Sequence, residues 1–161
     1  MVPMRKPERK MEDKQSYRLL REALWVTLST VNVRAESPLG LGSPYAVPIS
    51  VFEHDGYFFF HCAQQGHKVD NLKADNRVCI TCVGSAEVDE GALSVAYESA
   101  TFFATAEEVT IREVKIRALD ALCKRFAPSQ NPSRQIEAMV GKTGVWKLHI
   151  LKSSGKQRKF E

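Results

Sequence analysis

The sequence predicts an α+β protein: a closed or split β-barrel of six strands with flanking helices. Three observations carry that prediction. Six β-branched and aromatic runs are joined mostly by short links, where a doubly wound sheet would alternate strands with helices. Asp55-Gly56 stands between two apolar runs, a strong hairpin signal. The central runs are apolar on both faces, with Tyr57, Phe59 and His61 on one side and Phe58, Phe60 and Cys62 on the other. A barrel buries one such face within itself, and the other must meet a helix or a second subunit.

The elements follow in order. Lys14 to Glu22 reads as a helix with Tyr17, Leu20 and Leu24 at helical spacing. Leu24 to Val31 is a strand, and Asn32 to Pro44, with Pro38, Gly40 and Gly42, is a loop. Tyr45 to Phe52 and Tyr57 to Cys62 form the hairpin. Pro48 cannot donate to a ladder, so its strand is expected at an edge or a bulge. After Gly66 a short helix runs to about Asp75. Arg77–Val83 is a strand, Ser85–Gly91 a polar loop, and Ser94–Val109 a long strand. Thr110 is expected to cap a helix whose apolar stripe is Ile111, Val114, Ala118, Leu122 and Phe126. Ala127-Pro128 ends it. A short helix near Arg134–Val140 precedes the last strand, Gly144–Leu151.

At 161 residues, 43% hydrophobic and 26% charged, the chain has the size and composition of one globular domain. No apolar run approaches the roughly 20 residues that span a bilayer. Met1 to Lys6 is charged early and has no apolar core, which predicts a cytoplasmic protein. The net charge is +4, but it sits in basic tails at 1–12 and 152–161. Without residues 1–10 and 152–161 the body holds 15 basic and 17 acidic side chains, which argues against nucleic-acid binding. Cys79-Ile80-Thr81-Cys82 matches a C-x-x-C pattern. On a strand the two sulfurs point to opposite faces, and no second Cys or His pair completes a metal site, so buried free thiols are expected.

The candidate chemistry begins at Gln65-Gly66-His67-Lys68, where a strand gives way to a helix. Unpaired N–H groups, the positive end of the helix dipole, a close-approach glycine and two basic side chains are the parts of a phosphate site. A solvated helix start with a surface lysine is the other reading of these residues.

Taken together, Tyr45-Ala46-Val47-Pro48-Ile49-Ser50, Asp55 to Ala63, Gly66 to Leu72 and Asn76-Arg77-Val78-Cys79 resemble the FMN-binding split-barrel superfamily. Within it, the chain is similar to the nitroimidazole-resistance and related pyridoxamine-5'-phosphate-oxidase-like flavoproteins. The resemblance implies FMN as cofactor and a homodimer with the flavin at the subunit interface. It implies that Val47, Pro48, Ile49 and Ser50 lay backbone against the ring and ribityl chain. His61, Cys62 and Ala63 would line the same pocket. His67 and Lys68 would meet the phosphate, with Asn71 as a polar helper. Ser99 would offer a hydroxyl, and Trp146 would touch the ring across the dimer. His67 is also the candidate for a catalytic histidine. Core packing explains His61 and Trp146 equally well, and a backbone contact explains Ser99. Pyridoxamine-phosphate oxidases proper use an Arg-Lys pair where His67-Lys68 stand, and they carry a C-terminal Arg-containing substrate segment that Ser153 to Glu161 does not match. Three functions follow: an FMN-dependent oxidoreductase reducing a small acceptor such as a nitroaromatic, a non-catalytic FMN store or sensor, or a split barrel holding haem or a deazaflavin.

Overall fold

The structure is a computed structural model that describes residues 4–159. Its frame is set by three long strands, β6 (Arg77–Asp89), β7 (Ser94–Glu108) and β8 (Thr143–Arg158), paired antiparallel through most of their length. Around them β1 (Lys10–Met11), β2 (Val26–Val31), β3 (Pro44–Ile49), β4 (Val51–His54) and β5 (Tyr57–Ala63) complete one sheet. Its order is β3-β2-β6-β7-β8-β5-β4, with β1 added to β8. The two ends of that path, β3 and β4, are joined by Ser50 alone. The sheet therefore curls until its ends meet, and the chain itself, not a ladder, closes the barrel there.

Eight strands stand where six are expected, for two reasons. The run Tyr45–Phe52 breaks at Ser50 into β3 and β4, and Lys10–Met11 forms a short extra pair with β8. β3 pairs only with β2, so Pro48 sits on an edge strand, where its missing N–H costs no interior ladder bond. The loop expected at Ser85–Gly91 is strand as far as Asp89, after a register shift between Val83 and Ala86. Residues 152–158 of the expected C-terminal tail are likewise strand, paired to β7. Gly, Ser and Lys have weak strand propensity, but a long partner overrides it. Gly155 has a specific task there. A Cβ at that position would stand 2.1 Å from Ser16 Oγ and 2.8 Å from Met11 Cβ, so only glycine lets the first helix and β1 close against β8.

Four helices flank the sheet: α1 (Asp13–Glu22), α2 (His67–Ala74), α3 (Arg112–Phe126) and α4 (Ser133–Met139). α1 buries Leu19 and Leu20 in the barrel core, with Leu28, Phe60, Ile80, Phe102 and Leu148. α2 buries Val69 and Leu72 in the same cluster. The outer side of β5 is covered by helices: Phe52, Phe59 and Val145 pack against Ala118 and Leu119 of α3 and Ile136 of α4. The two apolar faces of Tyr57–Cys62 thus meet the barrel interior and a helix layer. Ile111, not Thr110, is the N-cap of α3, and no side chain caps it. Ile111 and Phe126 are exposed, so the buried stripe centres on Ala118 and Leu119. Arg125 turns inward and donates to Val51 O at 2.5 Å and Ala23 O at 2.6 Å, and burial pushes its guanidinium pKa down. Cys82 is buried while Cys79 is only half-buried, as the strand geometry of C-x-x-C requires. Burial pushes the Cys82 thiol up to about 11.

Candidate functional site

The split in the barrel is the feature that places a site. The β4–β5 ladder runs from His54↔Tyr57 to Val51↔Phe60 and stops. Continuing that register would set Ser50 against His61 and Ile49 against Cys62, but β3 bonds only to β2 and the end of β5 only to β8. Val47–Ser50 and His61–Ala63 therefore present two unpaired strand edges to one slot. From Ser50 to Tyr45 that slot runs about 17 Å at the usual strand rise. An unpaired edge is a row of backbone donors and acceptors waiting for a partner.

At the end of β5 the chain turns through Gly66, whose φ of 124° and ψ of 167° only glycine holds without strain, and α2 begins. No side chain caps this helix, and Gly66 O takes the N–H groups of Val69 and Asp70. The first N–H groups of the helix, with its positive dipole end, are left facing outward. Replacing Gly66 by alanine is expected to cost about 1–3 kcal/mol through that backbone strain, read as a shift of the urea midpoint.

The two basic residues that follow part to opposite walls. His67 turns to β3 and the loop before it: its ring lies 4.1 Å from that of Tyr45, and Nε2 is 2.5 Å from Asn32 Oδ1. Asn32 is buried; its amide donates to Arg34 O and Gly40 O, and its Oδ1 also accepts from Arg34 N–H. With Oδ1 an acceptor only, His67 Nε2 carries the hydrogen and Nδ1 is left for another partner. Lys68 reaches the β5 wall, its Nζ 6.0 Å from the Phe60 ring centroid.

On that wall His61 is held below the ordinary histidine pKa, first by burial and then by the Lys68 charge. Burial raises the Cys62 thiol above the ordinary cysteine range, and Lys68 opposes the shift. Both groups are thus neutral at pH 7 beside a cation. By nuclear magnetic resonance, the His61 imidazole should titrate below 6.5, and Lys68→Ala should move it part of the way back. Trp146 is buried, stacks on Phe60 at 6.4 Å and 6° between planes, and adjoins Cys62. Its Nε1–H is buried with no oxygen or nitrogen to receive it.

Of the residues the sequence singles out, Val47, Pro48, Ile49, Ser50, His61, Cys62, Ala63, His67 and Lys68 thus border one slot, with Trp146 beneath Cys62. Ser50 Oγ donates to Leu24 O at 2.9 Å, which fixes the bend between β3 and β4. Two residues fall elsewhere. Asn71 is fully buried, donating to Thr30 Oγ1 at 2.9 Å and accepting from Val33 N–H at 3.0 Å, so it clamps α2 to β2 instead of serving a phosphate. Ser99 lies on β7 six residues before Thr105, which pairs with Arg77 just past the end of α2; along β7 that is about 20 Å from that row. Its hydroxyl faces Lys156 O at 3.5 Å. Sequence reasoning missed Asn32, Tyr45 as a ring partner, and the Arg34–Asp70 ion pair that ties the loop to α2. The only signal was an Asn at a loop start, a residue that bonds nearby backbone.

Among solved structures the chain is similar to a candidate 5-nitroimidazole antibiotic resistance protein from Bacteroides thetaiotaomicron, at 24% identity and TM-score 0.73, covering 91% of this chain and 85% of that one. It is similar to an FAD-binding protein from Mesorhizobium loti at 15% identity and TM-score 0.68, covering 94% and 98%. A third is the FAD- and haem-binding protein from Mycobacterium smegmatis, at 20% identity and TM-score 0.76, covering 94% and 74%. At these identities the likeness shows the fold. No curated protein sequence matches the chain. The model of the pyridoxamine 5'-phosphate oxidase family matches residues 12–157, nearly the whole chain, and the protein belongs to that family.

Proposed function

We propose that the protein binds FMN at the interface of a homodimer and acts as an FMN-dependent oxidoreductase, passing electrons from a reduced donor to a small acceptor such as a nitroaromatic. The observation that carries this reading is the slot whose two unpaired strand edges end at an uncapped helix start with Gly66 and Lys68. An isoalloxazine is flat and edged with carbonyl oxygens and ring nitrogens, which backbone N–H and C=O groups can match. A phosphate monoester suits helix N–H groups and an ammonium. The Trp146 Nε1–H is a buried donor beside the slot that faces only the weak sulfur acceptor of Cys62, so a bound polar ligand would satisfy it better.

Bound flavin supplies hydride and electron transfer; the protein supplies binding, orientation and electrostatics. Lys68 and the α2 N–H groups hold the phosphate, and His67, with its Nε2–H committed to Asn32 Oδ1, forms the facing wall of the same site. The neutral His61 and Cys62 set no charge of their own against the ring. The homodimer reading draws on the outer face of β2, β6 and β7, where exposed Trp25, Val83 and Phe103 lie. Among the described residues no helix is long and apolar enough to cross a membrane; a cytoplasmic address is part of the reading proposed.

Anaerobic reduction by NADH or NADPH, followed by reoxidation with a nitroaromatic, tests the catalytic part. Repeated turnover is the expected result. A bound flavin that is never reduced by either nucleotide would favour storage or sensing.

A further inference from the structure

The slot stays open although its two edges are in register to zip. Continuing the β4–β5 ladder would pair Ser50 with His61 and Pro48 with Ala63. The turn tells which backbone groups would have to meet. Asp55 and Gly56, at φ 49° and 77°, make a two-residue hairpin, so His54 and Tyr57 form a hydrogen-bonded pair. Alternation then turns the backbone of Phe59, His61 and Ala63 toward β4 and, past its end, toward the slot. On the opposite wall Asn32 N–H donates to Ser43 O at 2.8 Å, so Tyr45, Val47 and Ile49 face β2. Pro44, Ala46 and Pro48 therefore face the slot. Two of these three have no N–H to give. In a zipped barrel Pro48 would have to donate to Ala63 O, and that bond cannot form. Proline on an edge strand blocks unwanted pairing in this way.

A second device pins the corner from outside. By the same alternation Val51 turns its carbonyl away from β5, to the free edge of β4. Arg125 Nη1 donates to that carbonyl at 2.5 Å, and Nη2 donates to Ala23 O, at the C-cap of α1, at 2.6 Å. Ser50 Oγ donates to Leu24 O beside them. Residues 50 and 51 are thus tied to the chain entering β2, across the slot from the end of β5. Arg125 is half-buried on the last turn of α3 and forms no ion pair among the described residues. Its donors serve a helix end and a sheet edge that would otherwise lack partners.

We propose that Pro48 and Arg125 are positioning residues for the ligand slot: Pro48 keeps the β3 edge from zipping to β5, and Arg125 anchors the corner from which the two edges diverge. The proposal rests on the reading of the slot as the FMN site and makes the open slot a property of the flavin-free chain. A slot already open takes its ligand without first breaking a ladder.

Amide hydrogen exchange by nuclear magnetic resonance and FMN titration test it together, with circular dichroism confirming that each variant is folded. Pro48→Ala restores the missing N–H. In the flavin-free protein the His61 and Ala63 amides should then exchange more slowly, by about fivefold or more. The dissociation constant for FMN should rise by about tenfold or more. Arg125→Met should add to both effects when combined with Pro48→Ala. Arg125→Lys, which keeps a charged donor at the corner, should add less, and it replaces Arg125→Met in the comparison if that variant does not fold. Pro38→Ala, in the loop before β3, should change neither. Wild-type exchange and affinity in Pro48→Ala would overturn the proposal. Either effect alone, in a protein whose wild type binds FMN, would also overturn it, since weaker binding without slower exchange makes Pro48 a plain ligand contact. A double variant no different from Pro48→Ala would overturn the part given to Arg125. Exchange needs no ligand, so slower exchange in Pro48→Ala with a wild type that takes up no FMN would remove the flavin and leave the two residues positioning a slot for another ligand.

Discussion

Lys68→Ala is expected to weaken FMN binding ten- to a hundredfold, the loss of one charge-assisted hydrogen bond worth about 1.5–3 kcal/mol. The direction follows from what else Lys68 does, which is little. It forms no ion pair among those present in the described residues, and its ammonium stands 6.0 Å from the Phe60 ring. A contact of that kind contributes about 0.5–1 kcal/mol at an exposed site. Thermal stability of the flavin-free protein should therefore change little while affinity falls steeply. Quenching of flavin fluorescence on titration measures the affinity, and the deficit should shrink with added salt, which screens the wild-type contact. Unchanged affinity would remove Lys68 from the phosphate site.

Phe60→Ala carries the largest stability effect. Phe60 is fully buried in the barrel core, stacked against Trp146 and opposite Val51 and Trp146 in the ladders on its two sides. Removing a buried phenyl ring costs about 3–5 kcal/mol, transfer and cavity together. At about 2–4 °C per kcal/mol for a chain of this size, the melting midpoint should drop by about 6–20 °C. Ile111→Ala is the matching control, because Ile111 is exposed at the N-cap of α3 and its loss should move the midpoint by no more than about 1–2 °C. Equal effects from the two would show that the core is misplaced.

The contrast between those two residues also shows what the sequence could reveal. Strands with strong local signals were legible: Tyr57–Ala63, with its aromatic run and the Asp55-Gly56 turn, appears as β5 with the hairpin before it. Pro48 pointed correctly to an edge, because a missing N–H is a local fact with one structural consequence. The break at Ser50 was not legible. It arises because the sheet must close on itself, a demand of the whole barrel that no window of residues records. The same is true of residues 152–158, where Lys, Ser and Gly read as tail but a fifteen-residue neighbour makes them strand.

The site divides in the same way. Gly66-His67-Lys68 was readable because a glycine before a helix start has a defined backbone task, and Gly66 holds φ 124°. The roles of Asn71 and Ser99 depended on which long-range partner each met. Asn71 found Thr30 on β2 and Val33 just after it, and Ser99 lies far along β7 from the Arg77 row that follows α2. Asn32, which fixes the His67 tautomer, could not be singled out among ordinary loop residues, since its importance lies in a contact 35 positions away.

The visible spectrum of the purified protein, followed by identification of what acid releases from it, decides whether the slot holds a flavin. A flavin spectrum is expected, with FMN as the released chromophore or taken up stoichiometrically when added. Released FAD would contradict the choice of a single phosphate at α2, and a haem band would contradict the flavin itself. A colourless protein that takes up no FMN would show that the slot between β3 and β5 is not a flavin site.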